Sequence, residues 1–546
     1  MIGDRRGEVG WRIAGGAVIL AIFAWQAFLA FGGPLEKSLN WTIDDAFYYL
    51  KVADSVARGA GSTFDGRHET NGYHPLWMLA LVPVMRASAT GDPVTAVRAV
   101  QALQCVILLG TLLILWSCAR RLLPPPGAIL ALILFAWPRV LTQTNSMLES
   151  GLYFLLLFAL LARLLGGFPG EAASAGVSVG AGRRVGGGGA SVRRDLATGL
   201  LAALVFLCRL DSVFLFAAFL LSLLAARPRR LFRAGTLAFL APVVLLGGAY
   251  LAWNLARFGH LAPVSGALKT TFPRADPQWG YLRAFPDFAL FAAIGGAWWA
   301  RDAVRAWTAP ARGTPPSPIA IFGLAALLHF VYTLLFMTWG VENWHFCLGV
   351  PAGILLVGWG ATRAANAFAR GDARRAAALW AAILVVAAAA MAAGLAASRA
   401  RHRDLLLEHY HRAALWARDH APRDAVFAMT DAGIFAWFSG RTTINTDGLI
   451  NDFGFVETLR RGAFAEYLAR EGVDHVMDYW HWGAEPFLRG GYGTKTIRAR
   501  LRPSGADGGA ITVSEEDEVY REVFRARNPT TRAVEENALL IWRVRR

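Results

Sequence analysis

"WTIDDAFYYLKVADSVARG", Trp41 to Gly59, follows directly on the first apolar segment of the chain. Two adjacent carboxylates, Asp44 and Asp45, run straight into aromatic residues. Beyond them Phe47, Leu50, Ala53 and Ala57 share one face of a helix, while Lys51, Asp54, Ser55 and Arg58 share another. The pattern predicts an amphipathic helix at a membrane surface, stopped by the "GAG" at 59–61. Asp45 suits its N-cap, where a carboxylate accepts free backbone N–H groups. A cap uses only one carboxylate, and Asp44 is left for chemistry.

The rest of the chain supplies the membrane. Of 546 residues, 55% are hydrophobic and 17% charged, too little polar surface for a soluble protein of this length. Several apolar runs reach the 18 or so residues needed to cross roughly 30 Å of hydrocarbon. The net charge is +16, yet the arginines cluster in short loops between apolar runs. The positive-inside rule produces that pattern, and it sets nucleic-acid binding aside. Cys105, Cys118, Cys208 and Cys347 lie in apolar segments without metal-ligand spacing, so no disulfide framework is implied. Arg5, Arg6 and Arg12 precede an apolar run, Ile13 to Phe31, that lacks a small-residue cleavage site, which predicts a retained span.

About eleven crossings follow, at 12–31, 96–118, 127–141, 149–165, 196–208, 212–226, 234–256, 285–300, 318–338, 346–362 and 376–397. The basic loops then share one side, assigned to the cytoplasm. Segment 75–85 is apolar but too short to span, and reads as a juxtamembrane or re-entrant helix. Gly166 to Gly189 reads as a flexible cytoplasmic loop. From about residue 401 the charge density rises, and residues 401–546 read as a soluble α/β domain outside the cytoplasm, after a membrane domain over 1–400. Strands are predicted at 425–430, 441–446, 475–480 and 538–544, with Asp431 capping a helix through Phe438 and a turn at Asp447-Gly448.

Polar residues gather on the outer side. "HETNGYHPLW" (68–77) brings Tyr73 and His74 to the entry of the short apolar helix. Glu149 and Arg209 lie at the ends of spans, where a charge is costly unless it is paired or faces a cavity. Lys269 sits in an outer loop within reach of lipid headgroups, and Glu342 and His345 share the turn "WGVENWHF" (339–346). Their i, i+3 spacing could contribute to a metal site, but two ligands do not make one. The arrangement suits an enzyme whose substrate is partly lipid. The alternative, a transporter or flippase of lipid-linked sugars, would keep polar groups at mid-membrane in broken helices and repeated halves.

The motifs "DDAFYYLKVADSVARG" (44–59), "NGYHPLW" (71–77), "NSMLESGLY" (145–153), "RLDS" (209–212) and "FGHLAPVSGALK" (258–269) resemble those of the GT-C superfamily of integral-membrane glycosyltransferases. "DAGIFAWFSGRTTINTDGLIND" (431–452) resembles the outer domain of some bacterial members. The resemblance is to polyprenyl-phosphate-sugar-dependent enzymes, such as arabinofuranosyl-, aminoarabinosyl- and protein mannosyltransferases. The resemblance implies a polytopic α-helical GT-C fold in a bacterial inner membrane, with the active site facing the periplasm or exterior. It implies a polyprenyl-phosphate-linked sugar donor and a glycan, lipid or protein acceptor. The catalytic residues would be Asp44 as base, with Asp45 and Glu149. His74, in place of the lysine that some members carry, would join Lys269, Tyr73, Glu342, His345 and Arg209 in binding substrate. The separated acidic motif of metal-dependent oligosaccharyltransferases is absent, which favours no cofactor over a divalent metal.

Overall fold

The computed structural model describes residues 5–88, 92–169, 187–226, 228–308, 315–401, 407–480, 485–501, 506–527 and 534–545. Most of the predicted glycine-rich loop at 166–189 lies outside the described residues. Helices occupy all eleven predicted segments. Six of them are long and apolar enough to cross a membrane: Glu8–Phe31, Pro93–Leu122, Ala234–Phe258, Pro318–Phe336, Asn343–Ala369 and Ala373–Ala400. A seventh span exists if the bent pair Pro125–Phe135 and Pro138–Thr144 counts as one. The pair was expected as a continuous segment, but it turns by 62° at Ala136-Trp137, just before Pro138. A proline has no N–H to donate and its ring clashes with the preceding turn, so the helix breaks there.

The outward faces of these helices carry large apolar side chains, among them Val106, Leu113, Val244, Leu245, Val385 and Val386, all exposed. In water such a belt would be an aggregation surface, and in a bilayer it is the solvated face. Inside the bundle, small residues let backbones approach. A Cβ on Gly295 would fall 2.5 Å from the Cα of Gly323, so helices Pro286–Thr308 and Pro318–Phe336 cross where neither has a side chain.

Helix Asp44–Ala57 forms as expected, but its setting differs. Its N-cap is Ile43, without a side-chain hydrogen bond, so Asp45 is not the cap. Asp44 and Asp45 occupy the first turn, where the free N–H groups favour negative charge. The helix does not float on the surface, because Phe47, Leu50 and Ala53 are fully buried. They pack beneath the C-terminal domain, with Phe47 against Phe438 at 5.9 Å.

That domain is a five-stranded sheet with helices around it. In chain order the strands are β1 (Val426–Met429), β2 (Thr442–Asn445), β3 (His475–Trp480), β4 (Thr494–Leu501), β5 (Ala506–Ser514), β6 (Glu518–Arg527) and β7 (Val534–Arg543). The main sheet runs β2-β1-β3-β7-β6, with β1 parallel to both β2 and β3, and β7 antiparallel to β3 and β6. β4 and β5 form a separate antiparallel pair. The four predicted strands match β1, β2, β3 and β7. β4, β5 and β6 were not anticipated: charged residues interrupt β4 and β6, and β5 opens on Asp507-Gly508-Gly509. The 32–95 segment ties this domain down through Thr70 Oγ1 to the Asn451 carbonyl (2.9 Å), Arg67 to the Glu471 carbonyl (2.7 Å) and Lys37 to Glu408 (3.1 Å).

Candidate active site

A cavity of about 1030 Å³ lies between the helices and the carboxyl ends of β1, β2 and β3. Ligand sites in parallel sheets form at those ends, where loops diverge and backbone amides are free. Asp45, Arg139, Gln143 and Lys269 line the helical wall. Asp431, Asp447, Asp478 and Tyr479 line the sheet wall.

The two leading carboxylates have different surroundings. Asp44 is 6% exposed, and its two oxygens accept the N–H groups of Gly433 (2.7 Å) and Ile434 (2.8 Å). It therefore caps helix Gly433–Ser439 from almost four hundred residues away. Asp431, expected to be that cap, instead takes a left-handed turn (φ 46°) and accepts the Tyr479 hydroxyl at 2.6 Å. Gly433 is required here, since a Cβ would collide with the Asp44 carbonyl. Burial and the Asp431 charge push the Asp44 pKa up, against the pull of the two N–H donors.

Asp45 is only partly buried, and no described residue hydrogen-bonds its carboxylate. Burial pushes its pKa up to about 7, with repulsion from Asp447 and Asp431 adding to it and Lys269 opposing it. A carboxylate near neutrality is half ionised at working pH, which suits a general base. Asp447 is held by the Asp431 N–H (3.3 Å), the Tyr48 hydroxyl (3.2 Å) and the Leu449 N–H (2.8 Å).

Below the cavity lies a second constellation. Glu149 accepts Arg209 at 2.6 Å and the Tyr49 hydroxyl at 2.9 Å, with His74 Nε2 at 3.8 Å. Arg209 also holds Asp211 at 2.8 Å, and His329 approaches Asp211 at 3.7 Å. Glu149, Arg209 and His74 are thus brought together, but none of them lines the cavity. Tyr73 is not part of this group and bonds Ser62 at 2.6 Å. Glu342 lines the cavity, whereas His345 packs behind it and its Nδ1 accepts the Glu342 N–H at 3.1 Å. Their i, i+3 spacing serves that capping box rather than a ligand pair.

Sequence reasoning missed Asp431, Asp447 and Gln143 as cavity residues. The aspartates carry ordinary cap and turn signatures, and only the long-range docking of the domain brings them to Asp45. One carboxylate oxygen from each of Asp44, Asp45 and Asp431 lies within 4.8 Å of the others, close enough to share a cation. However, both Asp44 oxygens already accept backbone N–H groups. Two aspartates would then have to supply most of the protein ligands, so the set fits a hydrated ion of the Mg²⁺ kind better than a dehydrated one.

Residues 399–523 match the family model "Domain of unknown function (DUF8728)". No curated protein matches the sequence. Among solved structures, ArnT from Cupriavidus metallidurans bound to undecaprenyl phosphate is 15% identical and covers 92% of this chain and 98% of its own, with a TM-score of 0.49. The apo oligosaccharyltransferase of Archaeoglobus fulgidus is 12% identical over 91% of this chain and 74% of its own, with a TM-score of 0.50. At such identities the likeness is one of fold. Through the latter structure the resemblance carried by the sequence motifs holds at that level: this chain has the fold of the GT-C membrane glycosyltransferases.

Proposed function

We propose that the protein is a glycosyltransferase that moves a sugar, with inversion, from a polyprenyl-phosphate donor to a hydroxyl of an extracytoplasmic acceptor. The observation that carries this reading is Asp45, a carboxylate with a pKa near 7 that opens into the same cavity as Lys269. Asp45 takes the acceptor proton as the acceptor oxygen attacks the anomeric carbon. The bond from that carbon to the phosphate oxygen breaks, and the phosphate leaves carrying its charge to Lys269. Such a leaving group needs no general acid, unlike the alkoxide released in glycoside hydrolysis. The base is therefore assigned to Asp45 rather than to Asp44, whose oxygens both serve the domain contact. No step in this scheme is routed through a metal.

The same reading places eleven crossings in a bacterial inner membrane, with a boundary near residue 400 and the C-terminal domain outside the cytoplasm. A cysteine at the exposed position Glu466 tests that side, because the four native cysteines are buried. A membrane-impermeant thiol reagent should label it in cells with a permeabilised outer envelope and an intact inner membrane. Labelling only after lysis would overturn the placement. For the activity, the protein in liposomes should consume at least one of a panel of synthetic polyprenyl-phosphate sugars in the presence of envelope extract. Absence of both binding and turnover across the panel would reject the reading. Turnover that survives chelation by EDTA would support the metal-free scheme, and its loss would give Asp45 and Asp431 to a cation.

A further inference from the structure

Gln143 is a buried residue of the cavity wall whose side-chain oxygen lacks a partner among the described residues. Gln143 lies in the 3-10 turn Thr142–Thr144 that follows helix Pro138–Leu141, the part of the bent pair turned by 62°. The residue is among those lining the cavity although it is only 4% exposed. Nε2 donates to the Arg139 carbonyl at 3.3 Å, while Oε1 has no hydrogen-bond partner among the described residues. The neighbouring hydroxyls are already engaged: Thr142 Oγ1 accepts the same Nε2 at 3.4 Å and donates to the Pro138 carbonyl at 2.6 Å, and Ser146 Oγ donates to the Gln143 backbone carbonyl at 2.8 Å. An unpaired buried acceptor is destabilising, because the water it gave up on folding is not replaced.

The surroundings say what it would accept. Trp41, Phe285, Trp339 and Trp344 line the same cavity, and aromatic faces cover the C–H faces of a sugar ring. The neighbouring cation, Arg139, is engaged by Asp287 (3.0 Å) and by the Ala284 carbonyl (2.8 Å). A lone carbonyl oxygen repels a phosphate and attracts an O–H or N–H. We propose that Gln143 Oε1 reads a hydroxyl (or amine) of the transferred sugar and so sets donor selectivity, while Lys269 on the same helical wall holds the phosphate. This inference rests on the glycosyl-transfer reading above.

A site built to bond a hydroxyl discriminates against a ligand lacking it, because its own polar group is left bare. The test measures dissociation constants for the full-length protein in nanodiscs by native mass spectrometry. The probes are decaprenyl phosphate, decaprenyl phosphate bearing mannose, glucose, galactose or arabinofuranose, and monodeoxy forms of the tightest sugar. For the wild type, removing one particular hydroxyl should weaken binding about tenfold. Gln143→Met should bind the parent donor about tenfold more weakly, bind bare decaprenyl phosphate unchanged, and no longer distinguish that deoxy form. Gln143→Glu retains an acceptor oxygen and should keep the discrimination. Should the Met variant not fold, Gln143→Ser, which withdraws the oxygen from the same position, gives the same readout. Discrimination that survives in Gln143→Met, or a wild type indifferent to every hydroxyl, overturns the proposal. Failure of the wild type to bind any of these lipids, sugar-bearing or bare, would be a different result and would reject the glycosyl-transfer reading itself.

Discussion

The cavity and the constellation beneath it use the same residue types to opposite ends. Glu149, Arg209, Asp211 and His329 form a closed chain in which each charge faces a partner, and Arg209 and Glu149 are 5% and 3% exposed at their side chains. Around the cavity Asp45, Asp431 and Asp447 repel one another, and Lys269 is the cation that opposes this at Asp45. The lower chain is matched and therefore structural. The upper group is left under-compensated, and burial together with that repulsion raises the Asp45 carboxylate towards neutrality at a cost in stability. The difference teaches where chemistry is available: a carboxylate already pinned by a guanidinium at 2.6 Å is a poor base, however close it lies to the substrate.

The largest effect should fall on the matched chain. Breaking a buried ion pair from one side leaves a bare charge and costs about 3–5 kcal/mol. Arg209→Ala should therefore remove most folded protein, read as the monodisperse fraction on size exclusion in detergent. A well-folded Arg209→Ala protein that binds donor normally would break the contrast. Next comes Asp45→Asn, which should lower transfer by about a hundredfold or more while donor binding persists. Glu149→Gln should lose yield before it loses turnover per folded molecule. The reverse pattern would exchange the two roles.

Much of this architecture was legible beforehand, and the particular residues explain how far. The helices of the eleven apolar segments were readable, six or seven of them long enough to span, because a bilayer imposes length and apolarity on local sequence. β1, β2, β3 and β7 were readable because they are short runs rich in β-branched, aromatic or aliphatic residues. The motif residues Asp44, Asp45, His74, Glu149 and Arg209 were singled out by the cost of placing charge at a membrane. What could not be read was which of two adjacent aspartates faces the cavity. That depends on Gly433 and Ile434, 389 and 390 residues further along, whose N–H groups claim Asp44. Residue spacing carries no signal for a cap supplied across that distance, and Asp431 showed a local cap signature that tertiary packing overrode.

Asp44→Ala tests that cap directly. It strips helix Gly433–Ser439 of both acceptors, and loss of a cap costs about 1–2 kcal/mol. The expected signature is faster proteolysis of the C-terminal domain in the intact protein, with activity reduced in proportion. Loss of activity without any change in proteolysis would return Asp44 to catalysis. A smaller shift is expected from Lys269→Gln. This cation holds the Asp45 pKa down, so removing it should move the acid limb of the rate profile above about 7 and weaken donor binding together. An unmoved limb would place Lys269 outside the electrostatic reach of Asp45.

The smallest effect carries the sharpest sign. Asp45 titrates at about 7 in the folded protein against an ordinary value of 3.8. Between those two values the folded state holds a proton that the unfolded state has released. Stability must then fall as pH rises through that window, and level off above it. Asn at this position has no charge to bury, so Asp45→Asn should escape the loss. At pH 8 the variant should be the more stable protein, by about 1 kcal/mol once solvent access to a partly exposed group is allowed for. That corresponds to a rise of roughly 2 °C in Tm for a chain of this size. At pH 4 wild-type Asp45 is protonated and the two curves should meet. Thermal unfolding of both proteins in nanodiscs across pH 4 to 8 measures the convergence. A constant offset at every pH would mean that Asp45 titrates as it does in the unfolded chain, and a variant that loses ground as pH rises would mean that Asp45 is stabilised in its charged form. The cavity would then hold no poised base.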